Sequence, residues 1–168
     1  MKTEEKTRKQ NATKYLTLSG LLGALVLLFT AWLHIPVGKG YVHIGDAFIY
    51  LGAVLLPMPY GLLPAVGGAV LADCLSGFAL WAPASALIKA LTVLLFTAKG
   101  EKILCLRNVL APVGAGVLCA GGYYLYEALL YGDYATPLLS VPGNLLQSLC
   151  SALVFFLLAG VMKNRKPL

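Results

Sequence analysis

Apolar residues run for about the length of a helix, stop at glycine, proline or charge, and resume, six times along the chain. Tyr15 to Leu33 is the first such run, and it predicts a helix from about Lys14 to Leu33. Pro36, Gly38, Gly40 and Gly45 then break it, so Ile35 to Gly45 reads as an ordered or hinged outer loop. From Asp46 to Leu75 the chain is apolar again, but Pro57 and Pro59 divide it into two shortish helices joined by a tight hairpin. Gly77 to Pro83 forms a second outer loop. A fourth helix follows from Ala84 to about Ala98 and stops at Lys99-Gly100. The fifth spans about Asn108 to Tyr131, a third outer loop covers Gly132 to Val141, and the sixth runs from Pro142 or Gly143 to Met162. The expected architecture is an all-α polytopic membrane protein, a bundle of six transmembrane helices over residues 14–163. A polar tail at 1–13, without hydrophobic period, is expected to be mobile, and a short tail follows at 164–168.

Composition agrees with that class: 59% of the 168 residues are hydrophobic and only 12% charged, so the chain is suited to lipid. The basic residues add an orientation. Lys2, Lys6, Arg8, Lys9 and Lys14 precede the first segment; Lys99, Lys102 and Arg107 lie between the fourth and fifth; Lys163, Arg165 and Lys166 follow the sixth. Only Lys39 falls in an outer loop. Because Lys- and Arg-rich loops stay cytoplasmic, both termini are expected inside. The net charge of +6 does not indicate nucleic acid, since the basic residues flank spans instead of forming one stripe with interleaved aromatics. Cys74, Cys105, Cys119 and Cys150 form no CxxC pair, so neither a disulfide framework nor a zinc site is indicated, and no cofactor is expected. The first apolar run is long for a secretory signal and lacks a clean cleavage site, so it reads as a retained span.

The polar residues inside the spans converge on one depth. Asp46 opens helix two, Asp73 lies near the outer end of helix three, and Lys89 lies roughly 7 Å below the outer end of helix four at 1.5 Å per residue. Glu127 is near the outer end of helix five; Asn144, Gln147 and Ser148 lie in the first two turns of helix six. A charge in hydrocarbon costs about 2.5–3.5 kcal/mol or more, so these groups should face a polar chamber in the outer third. Tyr123, Glu127 and Tyr131 share one helical stripe, and Asn144, Ser148 and Ser151 another. Aromatic planes with a few fixed donors and acceptors suit a flat heterocycle carrying hydroxyl or amino groups. Tyr123, Tyr124, Tyr126, Tyr131 and Trp81 equally fit an interfacial aromatic belt. Lys89 is read as a counter-charge for ligand, as the partner of Asp73 or Asp46 in a structural ion pair, or as snorkelling toward the interface. Asp46 is placed to cap helix two, Asp73 to pair with Lys89 or satisfy loop amides, and His43 to hydrogen-bond within its loop.

The run Gly40-Tyr41-Val42-His43-Ile44-Gly45-Asp46, the proline hairpin, Gly67-Gly68-Ala69-Val70-Leu71-Ala72-Asp73, Ser76-Gly77 and Ala84 to Lys89 together resemble the substrate-binding S components of energy-coupling factor (ECF) transporters, most of all the riboflavin-type group. That resemblance implies a subunit of a prokaryotic plasma membrane. Such a subunit captures a vitamin or vitamin precursor from outside, between the first outer loop and the outer ends of helices four to six. It then docks onto a membrane T component with two cytoplasmic ATPases, and is itself no enzyme. The match covers Gly40 to Lys89, and the implied binding region coincides with the polar cluster, so the substrate-binding residues expected from the two together are Tyr41, His43, Asp46, Asp73, Lys89, Tyr123, Glu127, Asn144, Gln147 and Ser148. Small residues on helix one, Ser19, Gly20, Gly23 and Ala24, give the implied docking face. The chain has no G-x-x-x-x-G-K-[ST] loop, so any use of ATP falls to partners.

Two other classes compete. A membrane enzyme would use His43, Asp46 and Asp73 for acid-base work, but no nucleophile is spaced with a base. A self-sufficient proton-coupled carrier would use Asp73 or Glu127, yet the inner halves of helices four to six are almost wholly apolar. Under the leading reading, replacing Lys89 or Asn144 weakens ligand binding and leaves folding largely intact. The identity of the vitamin is left open.

Overall fold

The structure, a computed structural model, describes residues 2–37 and 40–162, excepting the side chains of 2–8, 37 and 40. Helix α1 spans Lys2–Ala31. It starts well before the expected Lys14, because residues 2–13 contain neither glycine nor proline and are rich in Lys, Glu, Arg and Gln, which favour helix. Residues 2–13 of the expected tail are thus helical, the first turns of α1.

The expected outer loop is a β-hairpin. Strands β1 (His34–Val37) and β2 (Gly40–His43) pair antiparallel, with His34 opposite His43 and Pro36 opposite Tyr41. Pro36 has no N–H to donate, which a two-stranded ribbon made only of edges tolerates. Lys39 and Gly38, between the strands, lie outside the described residues, as do Lys163, Arg165, Lys166 and the tail 164–168.

Helix α2 spans Asp46–Leu55, and every one of its residues is buried. At 10 residues it is about 15 Å long, half of a hydrocarbon core. Apolar on all sides, it packs between α1 and α6 and reaches α4 across the bundle. Helix α3 (Met58–Leu75) follows the Pro57–Pro59 turn and widens into a π-turn at Leu63–Gly67, which accommodates Pro64. Its end is closed by Gly77 at φ +83°, with Phe78 N–H bonded to Asp73 O at 2.8 Å, a left-handed cap that a side chain would strain. A 3-10 turn (Ala79–Trp81) leads into α4 (Ala82–Leu95), so Pro83 opens that helix instead of ending the loop. Helix α5 (Leu106–Tyr131) ends at Gly132, φ +65°. A second 3-10 turn (Thr136–Leu139) precedes α6 (Val141–Val161).

Among the described residues, four helical stretches are long and apolar enough to cross a membrane: Lys9–Ala31, Met58–Leu75, Leu106–Tyr131 and Thr136–Val161. The expected six spans are thus six helices, of which α2 and α4 are short. The end opposite the hairpin is fastened by Asn108, wholly buried, which bonds the N–H and C=O of Thr97 and the C=O of Ile103, each at 2.8 Å. Arg107 donates to the free carbonyls of Leu94 and Leu95 where α4 ends. The bundle's middle is filled by Tyr50, Phe96 and Phe155: Tyr50 stacks on Phe96 at 5.0 Å, and Phe155 meets both edge-on.

Candidate functional site

A cavity of about 170 Å3 opens at the hairpin end. Its floor is a polar triad from three helices. Lys89 Nζ of α4 straddles the Asp46 carboxylate of α2, 2.8 Å from Oδ1 and 2.9 Å from Oδ2, and Gln147 Nε2 of α6 donates to the same Oδ2 at 3.0 Å. Of the expectations for Lys89, the structure shows the ion pair, with Asp46 as partner. Asp46 does not cap α2: Gly45 occupies that position, with no side-chain cap. The buried pair answers the cost that each charge would carry alone.

Gly45 is required here by space. A Cβ at this position would collide with Thr30 Oγ1 and lie 3.1 Å from Val26 O. The Gly45 N–H donates to His43 Nδ1 at 3.1 Å, and Thr30 Oγ1 lies 3.4 Å from the same nitrogen. With Nδ1 accepting, the ring carries its proton on Nε2. Burial holds the His43 pKa down at about 4, assisted by Lys89 and His34 and opposed by Asp46, so the ring is neutral.

The walls come from α4, the 3-10 turn before it, and α5. Trp81 Nε1 donates to Glu127 Oε1 at 3.1 Å, Ser85 Oγ lies 2.7 Å from Tyr123 OH, and Lys89 Nζ lies 5.7 Å from the centre of the Tyr123 ring. Ser85 was not anticipated, and Trp81 was anticipated only as a belt residue. The signal was present, because Trp81, Ser85 and Lys89 recur at i, i+4 and i+8.

The roof is the hairpin. Tyr41 packs its ring 4.6 Å from His34 and 4.9 Å from Phe78, and its hydroxyl donates to Asp73 Oδ1 at 3.0 Å. Burial, reinforced by the Asp73 carboxylate, pushes this phenol well above its usual range, so it remains a donor. Asp73 thus holds the hairpin and does not pair with Lys89.

Helix α6 is rotated from the expected stripe. Its cavity face is Gly143, Asn144 and Gln147, with Ser140 just before the helix. Ser148 turns back to its own helix, donating to Asn144 O at 2.9 Å, and packs where Gly116 of α5 leaves room; it does not line the cavity. Ser151 reaches the carbonyl of His43 at 3.4 Å. Tyr124 and Tyr126 tie loop carbonyls of Tyr134 and Leu80. The other nine expected binding residues, Tyr41, His43, Asp46, Asp73, Lys89, Tyr123, Glu127, Asn144 and Gln147, all border the same cavity. Among the described residues, no group of three His, Cys, Asp or Glu could hold a metal ion.

The expected docking face divides. Ser19 is buried and donates to the carbonyls of Tyr15 and Tyr60, at 2.8 and 2.7 Å, and Gly23 lies against Pro64 of α3. Ser19 thus lies inside the α1–α3 contact, while Gly23, in contact with Pro64, is partly exposed. Gly20 and Ala24 remain exposed.

The family model described as "ECF-type riboflavin transporter, S component" matches residues 10–164. No curated protein matches the chain.

Proposed function

The chain belongs to the S-component family of ECF-type riboflavin transporters, and from that premise we propose that it captures a flat heterocyclic vitamin, riboflavin in the first instance, beneath the hairpin. Its class is that of a vitamin-uptake specificity subunit in the membrane, a transport role and not an enzymatic one. The observation that carries the proposal is the cavity itself: aromatic walls (Tyr41, Phe78, Trp81, Tyr123) over a floor of fixed donors and acceptors. Ring faces supply contact area, and Glu127, Asn144 and Gln147 supply hydrogen-bond partners for ring amides and hydroxyls.

At about 170 Å3 the cavity is smaller than the roughly 300–1,000 Å3 usual for such ligands, so capture requires the hairpin to lift and then settle. Beneath the floor, Tyr50, Phe96 and Phe155 close the bundle, which favours handover over passage through this chain alone. In this reading the hairpin faces outward, both termini face the cytoplasm of a prokaryote, and Gly20 with Ala24 offers the close-packing patch for a T component with two ATPases.

The test is mass spectrometry of small molecules released from protein purified without added ligand, followed by titration with riboflavin. Tight binding without uptake by liposomes holding this chain alone is expected. Failure to bind riboflavin removes the flavin assignment, and uptake by the lone chain would replace capture with a self-sufficient carrier.

A further inference from the structure

We propose that the foot of α4, at the end of the bundle opposite the hairpin, binds one anionic phospholipid, with Arg107 on its phosphodiester and its acyl chains against the apolar surface beside it. The site is separate from the cavity. Helix α4 has 14 residues and α5 has 26, which makes them about 21 and 39 Å long. They run level at the hairpin end, where Trp81 bonds to Glu127, and are still level at Leu95, which a side chain added at Gly114 would meet. From Gly114 to Leu106, α5 continues about 12 Å past that level, so a step is left where α4 stops. Leu106, Leu110 and Val113 of this stretch are all more than half exposed.

A cation reaches into the step. Arg107 turns back from the start of α5 and donates from Nε to Leu95 O at 2.9 Å and from Nη2 to Leu94 O at 2.6 Å. A guanidinium carries five N–H donors, and these two bonds leave the rest of the fork for another acceptor. The carbonyls orient the group without neutralising it. Among the described residues, no carboxylate pairs with Arg107, and Glu101, the one acid of the adjoining loop, makes no ion pair. Lys99 and Lys102, exposed in the same loop, add further positive charge. A charge at the edge of hydrocarbon without a counter-ion is costly, so the step calls for an anion.

The surroundings decide which anion. Leu91 and Leu94 of α4 and Leu106 and Leu110 of α5 are exposed around the guanidinium, on helices that cross or line a membrane-spanning bundle. An anion that arrives with its own apolar chains covers these side chains, whereas a soluble phosphate or an acidic protein surface leaves them against water. The phosphodiester oxygens match the planar fork of an arginine in a way that a point charge does not. Lys99 and Lys102 favour a headgroup with net negative charge, such as phosphatidylglycerol, over one whose phosphate is balanced by choline. In the orientation proposed above, the lipid belongs to the cytoplasmic leaflet.

The experiment places the full chain in nanodiscs of equal phosphatidylglycerol and phosphatidylcholine and counts the lipids it retains by native mass spectrometry. The wild type is expected to keep one phosphatidylglycerol, favoured over phosphatidylcholine by at least about fivefold, and Arg107→Gln to bring the two near parity. Because Arg107 also holds the end of α4, a wild-type measurement stands beside the variant. Short-chain phosphatidylglycerol in detergent is expected to raise the melting temperature, while short-chain phosphatidylcholine and inorganic phosphate at the same concentration leave it unchanged. Equal retention of the two lipids by the wild type, full preference in folded Arg107→Gln, or stabilisation by inorganic phosphate equal to that by the lipid each overturns the lipid site. None of these outcomes bears on vitamin capture, which the riboflavin titration tests by itself.

Discussion

Tyr41 of β2 and Asp73 of α3 are joined by a 3.0 Å hydrogen bond from phenol to carboxylate, which fastens the hairpin to a helix wall across the mouth of the cavity. Tyr41→Phe keeps the ring contacts with His34 and Phe78 and removes only this bond. A hydrogen bond to a charged group contributes about 1.5–3 kcal/mol, so ligand dissociation should accelerate by about 10- to 100-fold with a smaller change in association. Stopped-flow release of riboflavin measures both rates; an unchanged dissociation rate would mean the bond does not hold the roof closed.

Lys89 and Asp46 make folding and binding hard to separate. Removing Lys89 alone leaves a buried carboxylate facing only Gln147, so Lys89→Met should cost about 3–5 kcal/mol of stability, which replaces the sequence expectation of intact folding. The double variant Lys89→Gln with Asp46→Asn keeps hydrogen-bonding groups without charge and should recover most of that loss. Thermal unfolding of the singles and the double in one detergent forms the cycle. Additive losses would show that the two charges are not coupled.

Much of this arrangement was legible in the sequence because lipid makes polarity conspicuous. Asp46, Asp73, Lys89, Glu127, Asn144 and Gln147 stood out in apolar runs, and the structure sets them around one space. What escaped depended on angle and distance. Ser148 and Gln147 are neighbours on α6, and only the rotation fixed by α5 packing at Gly116 turns one away and the other in. The hairpin was missed because alternation over two four-residue strands is too short to rise above the Pro and Gly signals around it. Asn108 read as an ordinary first residue of a helix, since its partners, Thr97 and Ile103, belong to a loop whose path no periodicity predicts.

Asn108 gives a prediction at the far end from the cavity. It makes three hydrogen bonds in a fully buried position, and Asn108→Ala leaves the Thr97 N–H and C=O and the Ile103 C=O without that partner. At about 1 kcal/mol or more for each, a loss of roughly 3 kcal/mol in unfolding free energy is expected, while riboflavin affinity of the folded fraction stays near wild type. Thermal unfolding and titration of the same preparation separate these effects.

Gly45→Ala tests the close approach of α1 to the start of α2. The added methyl meets Thr30 Oγ1, with Val26 O and His43 Nδ1 on its other sides, so overpacking of about 1–3 kcal/mol is expected. Thr30→Ala alone removes the hydroxyl that lies near His43, and in combination it should restore part of what Gly45→Ala loses. No recovery in the double variant would place the constraint in the backbone instead of at Thr30.

His43 predicts an acid-sensitive hairpin. Unfolded, the ring titrates near 6.5; folded, burial holds it at about 4. Above the higher value both states are neutral and the group adds no pH dependence. Between the two values the unfolded chain takes up a proton that the folded chain refuses, so stability falls as pH drops from about 6.5 towards about 4 and levels off below. The difference amounts to a loss on the order of 3 kcal/mol across that window. His43→Asn retains an acceptor for the Gly45 N–H without an ionisable ring, and should flatten this part of the profile even if it lowers stability at neutral pH. Melting temperatures from about pH 7.5 to about pH 4.5 decide the matter. Equal acid slopes in the two proteins would assign the sensitivity to the carboxylates and not to this histidine.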